Sequence, residues 1–276
     1  YRGYIVNRYE IANIIVDRLS NQKEHLKSSY LETTDKIAFF YIDNLLPEDI
    51  ALKIYKAFPK PEAMKVKKSL REFKYIEAQM DQHDPILEEA IYAFQDPRIV
   101  HIVSEITGID HLEPDEHLYA GGISMMGDKQ FLNPHLDNSH DKDRNKWRVL
   151  NLLYYVTPNW DENSGGNLEL WPNGLDNLQI TIHSQFNRLA IMATHNDSWH
   201  SVSPISTNDK FRCCVSNYYF SADPLKPTDS FHVTSFRGRP EQKVVDKILQ
   251  ADIALRSGIR KIFKKGIVEN KHVYKK

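Results

Sequence analysis

The sequence predicts an α+β protein with a mainly β core, a barrel or two-sheet jelly roll set between helical segments. The order of textures along the chain carries this. Residues 118–222 contain short aromatic or β-branched runs, "LYAGGISMM", "RVLNLLYYV", "NLELW", "LQITI", "RLAIMAT" and "RCCVSNYYF", punctuated by Gly, Asn, Asp and Pro. The chain before and after them reads mostly as helix. The expected organisation is a mostly helical support region over 1–117, the β core over 118–222 and a basic helical extension over 223–276, packed as one integrated domain.

Each element has a local reason. "KIAFFYIDNLLPEDIALKIYKAF" reads as a strand, a turn and a helix with Pro47 near its first turn. "HDPILEEAIYAFQDPRIVHIVSEITGI" reads as two short helices, opened by Asp84-Pro85 and Asp96-Pro97. Asp caps a helix N-terminus, Pro suits the first helical position, and Gly108 is a helix stop. Towards the C-terminus, Val245, Ile248, Leu249, Leu255, Ile259 and Ile262 form an apolar helical stripe. Residues 236–276 hold 12 Lys/Arg against 4 Asp/Glu. That charge fits a core-packed helix with a solvated basic face, or a site for an anionic partner or membrane surface.

Composition excludes several classes. A 276-residue chain that is 41% hydrophobic and 26% charged is ordinary for a globular protein with a core. A net charge of −1 advertises no specific nucleic-acid partner. Cys213 and Cys214 are neighbours, poorly placed to pair, so no disulfide framework is expected. No apolar run reaches the roughly 18 residues of a membrane span. The N-terminal residues lack a signal-peptide layout, and a reducing, cytoplasmic location is expected.

The stretch "NPHLDNSHDKD" raises the question of a metal. His-x-acid occurs three times, at His111/Glu113, His135/Asp137 and His195/Asp197. The first lies in a polar loop and the third in a turn, too close to His200 to share an ion with it. His135 and Asp137 stand two apart, so on a strand both face one side. Sixty-three residues after Asp137, "SWHSVSPI" offers His200. Two histidines and one carboxylate form a facial triad that leaves positions open on Fe(II). Arg212 opens the apolar strand "RCCVSNYYF" and needs a partner there, either an acidic residue or a dicarboxylate co-substrate. No Gly-rich phosphate loop or G-x-S-x-G elbow is present.

His135-x-Asp137, "LNLLYYVTPNWDENSGGNLELWPNG", "SWHSVSPI" and "RCCVSNYYF" together resemble the Fe(II)/2-oxoglutarate dioxygenases of the prolyl-4-hydroxylase-like group. The resemblance covers about residues 118–222, with an echo at "FFYIDNLLPEDIALKIYKAF". It implies a double-stranded β-helix, with N-terminal helices packed on it, and iron held by His135, Asp137 and His200. It implies that Arg212 binds the distal carboxylate of 2-oxoglutarate and that Tyr155 assists, although a one-residue slip would turn Tyr154 inward instead. Gly165 and Gly166 match a turn. The implied reaction hydroxylates an unactivated C–H with O₂ and 2-oxoglutarate, releasing succinate and CO₂, with ascorbate in support. Because Asp137 is present, hydroxylation is expected rather than the chlorination of similar halogenases.

The chain departs from the family pattern in three places. The segment before His135 is long, "STNDK" reads as an insertion before Arg212, and Cys214 stands where some relatives carry serine. On the substrate side the candidates are Asn138, Asn151 and Trp171, residue types that also serve in turns and packing. The polar stretch "NSHDKDRNKW" reads as a lid. The expected substrate is a small molecule or a carrier-bound biosynthetic intermediate. The alternatives are a protein side chain such as proline, or a non-enzymatic binding module on the same fold.

Overall fold

In a computed structural model, which describes residues 6–262 and 273–274, Asn7 caps the first helix, α1 (Arg8–Leu31), in a capping box with Glu10. Ile11, Ile15, Leu19 and Leu26 follow helical spacing and are buried, each contributing about 1.5–3 kcal/mol. After β1 (Phe39–Ile42), Pro47 occupies the N-cap of α2 (Glu48–Lys56). A hairpin, β2 (Lys65–Lys68) and β3 (Glu72–Glu77), comes next. Then α3 (Pro85–Ala93) and α4 (Pro97–Thr107) begin on Asp84 and Asp96, whose carboxylates accept from the amides of Ile86 and Arg98. Gly108 ends α4 at φ +70, the left-handed conformation glycine takes without penalty.

The remaining strands are β4 (Glu113–Pro114), β5 (Gly122–Met126), β6 (Phe131–Leu136), β7 (Trp147–Tyr155), β8 (Leu168–Leu170), β9 (Ile180–Ile182), β10 (Arg188–Ala193), β11 (His200–Val202), β12 (Arg212–Ser221) and β13 (Ser235–Phe236). Helix α5 (Lys243–Ile262) closes the described fold. Hydrogen bonding links the strands in the order β1-β10-β7-β12-β5-β3-β6-β11-β8-β9, all antiparallel, with β13 on β6. The jelly roll is thus a larger sheet, β1 to β5, and a smaller one, β6 to β9, with β3 bonded to both.

Three apolar clusters hold these layers. The largest joins α1, α3 and α4 to the outer side of β7, β10 and β12, through residues such as Leu150, Leu152, Tyr154 and Tyr219. A second lies on the other face of those strands and includes Tyr155, Leu168, Leu170, Met192 and Cys214. A third packs Leu249 and Val245 of α5 on Met126, Val202 and Phe236.

The mostly helical region before residue 118 also supplies strands, the expected β1 and a hairpin, β2 and β3, that its sequence did not announce; β1 and β3 pair with core strands. The run "EFKYIE" has strand character, and β3 satisfies backbone edges on both β5 and β6 that would otherwise stay unpaired. One expectation of the fold needs correction. The C-terminal stripe is narrower than its spacing implies. Val245 and Leu249 pack, whereas Ile248 and Leu255 are 51% and 65% exposed. Helix α5 touches the barrel along one edge only, so a stripe wider than that edge remains in solvent. The side chain of Ile262 and the basic residues 263–272 lie outside the described residues.

Candidate active site

Strand pairing brings the predicted ligands together. On β6 and β11, His135 and His200 are direct cross-strand partners, and their ring centroids lie 4.1 Å apart. Asp137 follows β6 by one residue. His135 Nε2 is 3.5 Å from Asp137 Oδ1, and His200 Nε2 is 3.6 Å from Oδ2. One ligand atom from each of the three residues lies within 4.8 Å of the others.

Each side chain is oriented from behind. His135 Nδ1 lies 3.0 Å from the Asn133 carbonyl and His200 Nδ1 lies 2.9 Å from that of Ser198. A carbonyl only accepts, so Nδ1 carries the proton and Nε2 keeps its lone pair toward Asp137. Phe236 stacks on His135 at 5.2 Å. Asn151 Nδ2 donates to Asp137 Oδ2 at 2.7 Å, and Arg148 Nη1 lies 3.4 Å from the same oxygen. Burial pushes the Asp137 carboxyl up, but Arg148, His135 and His200 outweigh it and hold the carboxyl well below the usual carboxylate range.

Arg148 is a residue that the sequence reading missed. Strict alternation would turn positions 148 and 151 to opposite faces. The register between β7 and β12 shifts so that Leu150 opposes Tyr219 and Arg148 opposes Phe220, leaving Val149 as the bulged residue. Val149 and Leu150 consequently both pack outward, and Arg148 rejoins Asn151 on the inner side. No local signal in the sequence marks this bulge.

Arg212 is 4% exposed. Its Nη1 donates to the Gly166 carbonyl at 3.1 Å, while its Nε has no hydrogen-bond partner. Among the described residues no carboxylate lies within ion-pair distance, so the acidic-residue alternative is not what neutralises it. Gly165 and Gly166 do more than turn the chain. A Cβ on Gly165 would lie 2.0 Å from the Pro204 carbonyl oxygen, and one on Gly166 would press on Arg212 Cδ at 3.1 Å. The guanidinium sits 5.4 Å from the ring centre of Tyr155, whose buried hydroxyl also lacks a partner. Burial holds that phenol above its ordinary pKa, so it stays a neutral donor. Tyr154 points the other way, to Asn187 Oδ1 and the ring of Phe94, so Tyr155 is the inward one.

His135, Asp137, His200 and Arg212 line one cavity of about 370 Å³. Asn138 and Asn151 line it too. Asn138 donates to Tyr119 Oη, whereas Asn151 serves Asp137. Trp171 does not line it. The tryptophan follows the inward Leu170 and so turns to the outer face, where its indole N–H donates to Ser201 Oγ at 2.8 Å. The two other His-x-acid pairs are elsewhere. His195 bonds the Lys36 carbonyl, and Glu113 pairs with Lys146.

The model of the 2OG-Fe(II) oxygenase superfamily matches residues 121–220, a span that contains all four of these side chains. This segment is a 2OG-Fe(II) oxygenase domain. Solved structures share its fold. A prolyl 4-hydroxylase from Phytophthora capsici is 16% identical over 99% of this chain and 83% of its own, with a TM-score of 0.55. A prolyl-4-hydroxylase from Pseudomonas putida is 14% identical over 71% of this chain and 98% of its own, at 0.51. A prolyl hydroxylase from Trichoplax adhaerens, solved with a hypoxia inducible factor peptide, is 21% identical over 73% and 92%, also at 0.51. No curated protein matches the chain.

The match assigns residues 121–220 to the 2OG-Fe(II) oxygenases, and the chain's own chemistry there fits Fe(II) and 2-oxoglutarate. Two imidazole lone pairs and a carboxylate converge on one point, as a hard-to-borderline divalent ion requires. A buried guanidinium with a free N–H, beside a free phenol, suits a carboxylate. Among the described residues no helix is long and apolar enough to cross a membrane.

The histidines also make a pH prediction. Burial, reinforced by His135, pulls the His200 imidazole down to about 4. In the unfolded chain it titrates near 6.5. Above that pH neither state binds the proton. As pH falls from 6.5 to 4 only the unfolded state does, so stability is lost across that window. We expect the urea midpoint of metal-free protein to fall more steeply over pH 6.5 to 4 than that of His200→Phe. Parallel curves would show that His200 is not the group responsible.

Proposed function

We propose that this dioxygenase hydroxylates an unactivated C–H bond of a small molecule or biosynthetic intermediate, with His135, Asp137 and His200 holding Fe(II). Bound there, Fe(II) with 2-oxoglutarate and O₂ supplies the two-electron oxidation, releasing succinate and CO₂. The chain's residues do the rest. Arg212 pairs with the distal carboxylate of 2-oxoglutarate, with Tyr155 beside it, and both are fixed by burial before the ligand arrives. Asn151 and Arg148 hold Asp137 ionised and aimed. Asn138 stands on the substrate side.

The observation that carries the small-molecule reading is the cavity. At about 370 Å³ it lies at the low end of the range for small-ligand pockets, roughly 300–1,000 Å³. Arg71, in the β2–β3 turn, and Arg256 of α5 line it, and both pair with Asp252. A peptide requires an open groove or a free strand edge instead.

The test is a calorimetric titration of 2-oxoglutarate into Mn(II)-loaded protein without O₂. Wild type should bind, Arg212→Ala should lose about 100-fold or more, as expected when a buried charged contact is truncated, and His200→Ala, which removes a metal ligand, should lose the metal-dependent binding. Metal-independent or Arg212-independent binding would overturn the assignment. Succinate release driven by prolyl peptides, and not by small molecules, would move the substrate to protein side chains.

A further inference from the structure

The walls of the cavity carry far more positive than negative charge. Six cations line it, Lys67, Arg71, Lys74, Arg148, Arg212 and Arg256, against two acids, Glu72 and Asp137. Fe(II) and 2-oxoglutarate carry opposite double charges, so their binding leaves this excess in place. Arg212 and Arg148 are taken up by the site already described. The other four lie on the β2–β3 hairpin, its turn and α5.

These four cations share too few carboxylates. Lys67 and Lys74 both lean on Glu72, at 3.8 and 2.9 Å. Arg71 and Arg256 both lean on Asp252. Each trio keeps one uncompensated positive charge, and all six side chains are partly buried. Burial pulls the Lys67 ammonium below its ordinary pKa; Glu72 opposes this, while Lys74 and Lys65 add to it. A like-charged cluster held in a partly dry wall costs stability unless an anion completes it.

We propose that the substrate is a phosphate monoester, or an equivalent dianion, whose charged end is held between Lys67 and Lys74 of the hairpin and the Arg71–Arg256 pair. The end to be hydroxylated then reaches inward toward His135, Asp137 and His200. This rests on the small-molecule reading above and names the class of molecule. Phosphate geometry suits both partners, since guanidinium forks bind it bidentately and ammonium groups bind it as point charges. The uncompensated charge on each trio matches one charge of the dianion.

The experiment uses protein saturated with Mn(II) and 2-oxoglutarate, without O₂. Glycerol 3-phosphate, inorganic phosphate and glycerol are titrated by calorimetry into wild type, Lys67→Ala/Lys74→Ala and Arg256→Ala. The 2-oxoglutarate affinity of each is measured first, and thermal melts confirm folding. We expect both phosphates, but not glycerol, to bind wild type. The double lysine variant should lose about tenfold or more, Arg256→Ala should lose less, and 2-oxoglutarate affinity should stay unchanged in both. Lys74→Glu, a charge reversal at a half-buried position, should lose more than Lys74→Ala.

Loss of 2-oxoglutarate binding in wild type would sink the cofactor assignment and not the anion site. With 2-oxoglutarate bound, three results would overturn the anion site. They are no phosphate binding, equal binding of glycerol and glycerol 3-phosphate, or phosphate affinity that survives the double lysine variant. Phosphate that displaces 2-oxoglutarate and depends on Arg212 would also overturn it.

Discussion

Asp137→Ala should abolish Mn(II) and Fe(II) binding in the micromolar range, and 2-oxoglutarate binding with it. Asp137 is the one anion among the three converging ligands, so its loss removes both a ligand and the charge that attracts the ion. It would also strand Arg148 and Asn151, whose inward groups are turned to its Oδ2. The neighbouring support predicts a graded companion. Asn151→Leu keeps all three ligands but frees Oδ2 to rotate, and should weaken metal affinity by about 10- to 100-fold, the usual cost of losing an outer partner of a ligand. Equilibrium dialysis with Mn(II) reads both effects. Unchanged affinity in Asp137→Ala would mean that the ion is held elsewhere.

Arg239→Leu should be the most destabilising change outside the site. On the outer face of the smaller sheet, Arg239 Nη2 lies 2.7 Å from Glu169 Oε2, and both side chains are 7% exposed. The same carboxylate accepts from Ser201 Oγ at 2.6 Å, and Ser201 Oγ accepts from the Trp171 indole. Removing the arginine leaves a buried carboxylate without its cation, at a cost of about 3–5 kcal/mol. For a chain of this size that lowers Tm by roughly 10 °C. Glu169→Leu/Arg239→Leu should recover most of the loss, because the cost lies in the stranded charge and not in the absent pair. A single-variant loss under about 1 kcal/mol would show that water reaches Glu169, as at an exposed pair. Ser201 lies between His200 and Val202 on β11, so this network also fixes the strand that carries His200.

The sequence by itself determined the class of fold and singled out four polar residues, His135, Asp137, His200 and Arg212, that line one cavity. Alternating apolar runs define strands because side chains on a strand take alternate faces, and Asp-Pro and Gly108 mark helix ends because caps and left-handed residues are local matters. His135 and Asp137 stood out by their spacing of two on a strand and His200 by completing a set of two histidines and a carboxylate. Arg212 stood out as a charged residue opening an apolar strand, which needs a partner wherever the chain folds. What only the tertiary structure decided is everything that depends on register or on distant neighbours. The bulge at Val149 brings Arg148 beside Asp137, because one extra residue in β7 reverses which face its side chain takes. The face of Trp171 follows from its step past Leu170, and that of Tyr155 from its register on β12. The β2–β3 hairpin joins the barrel because β5 and β6 each have an edge to fill, a demand invisible in "EFKYIE" alone. The cavity wall unites Lys67 and Lys74 of the hairpin with Arg256 of α5, elements far apart in the chain.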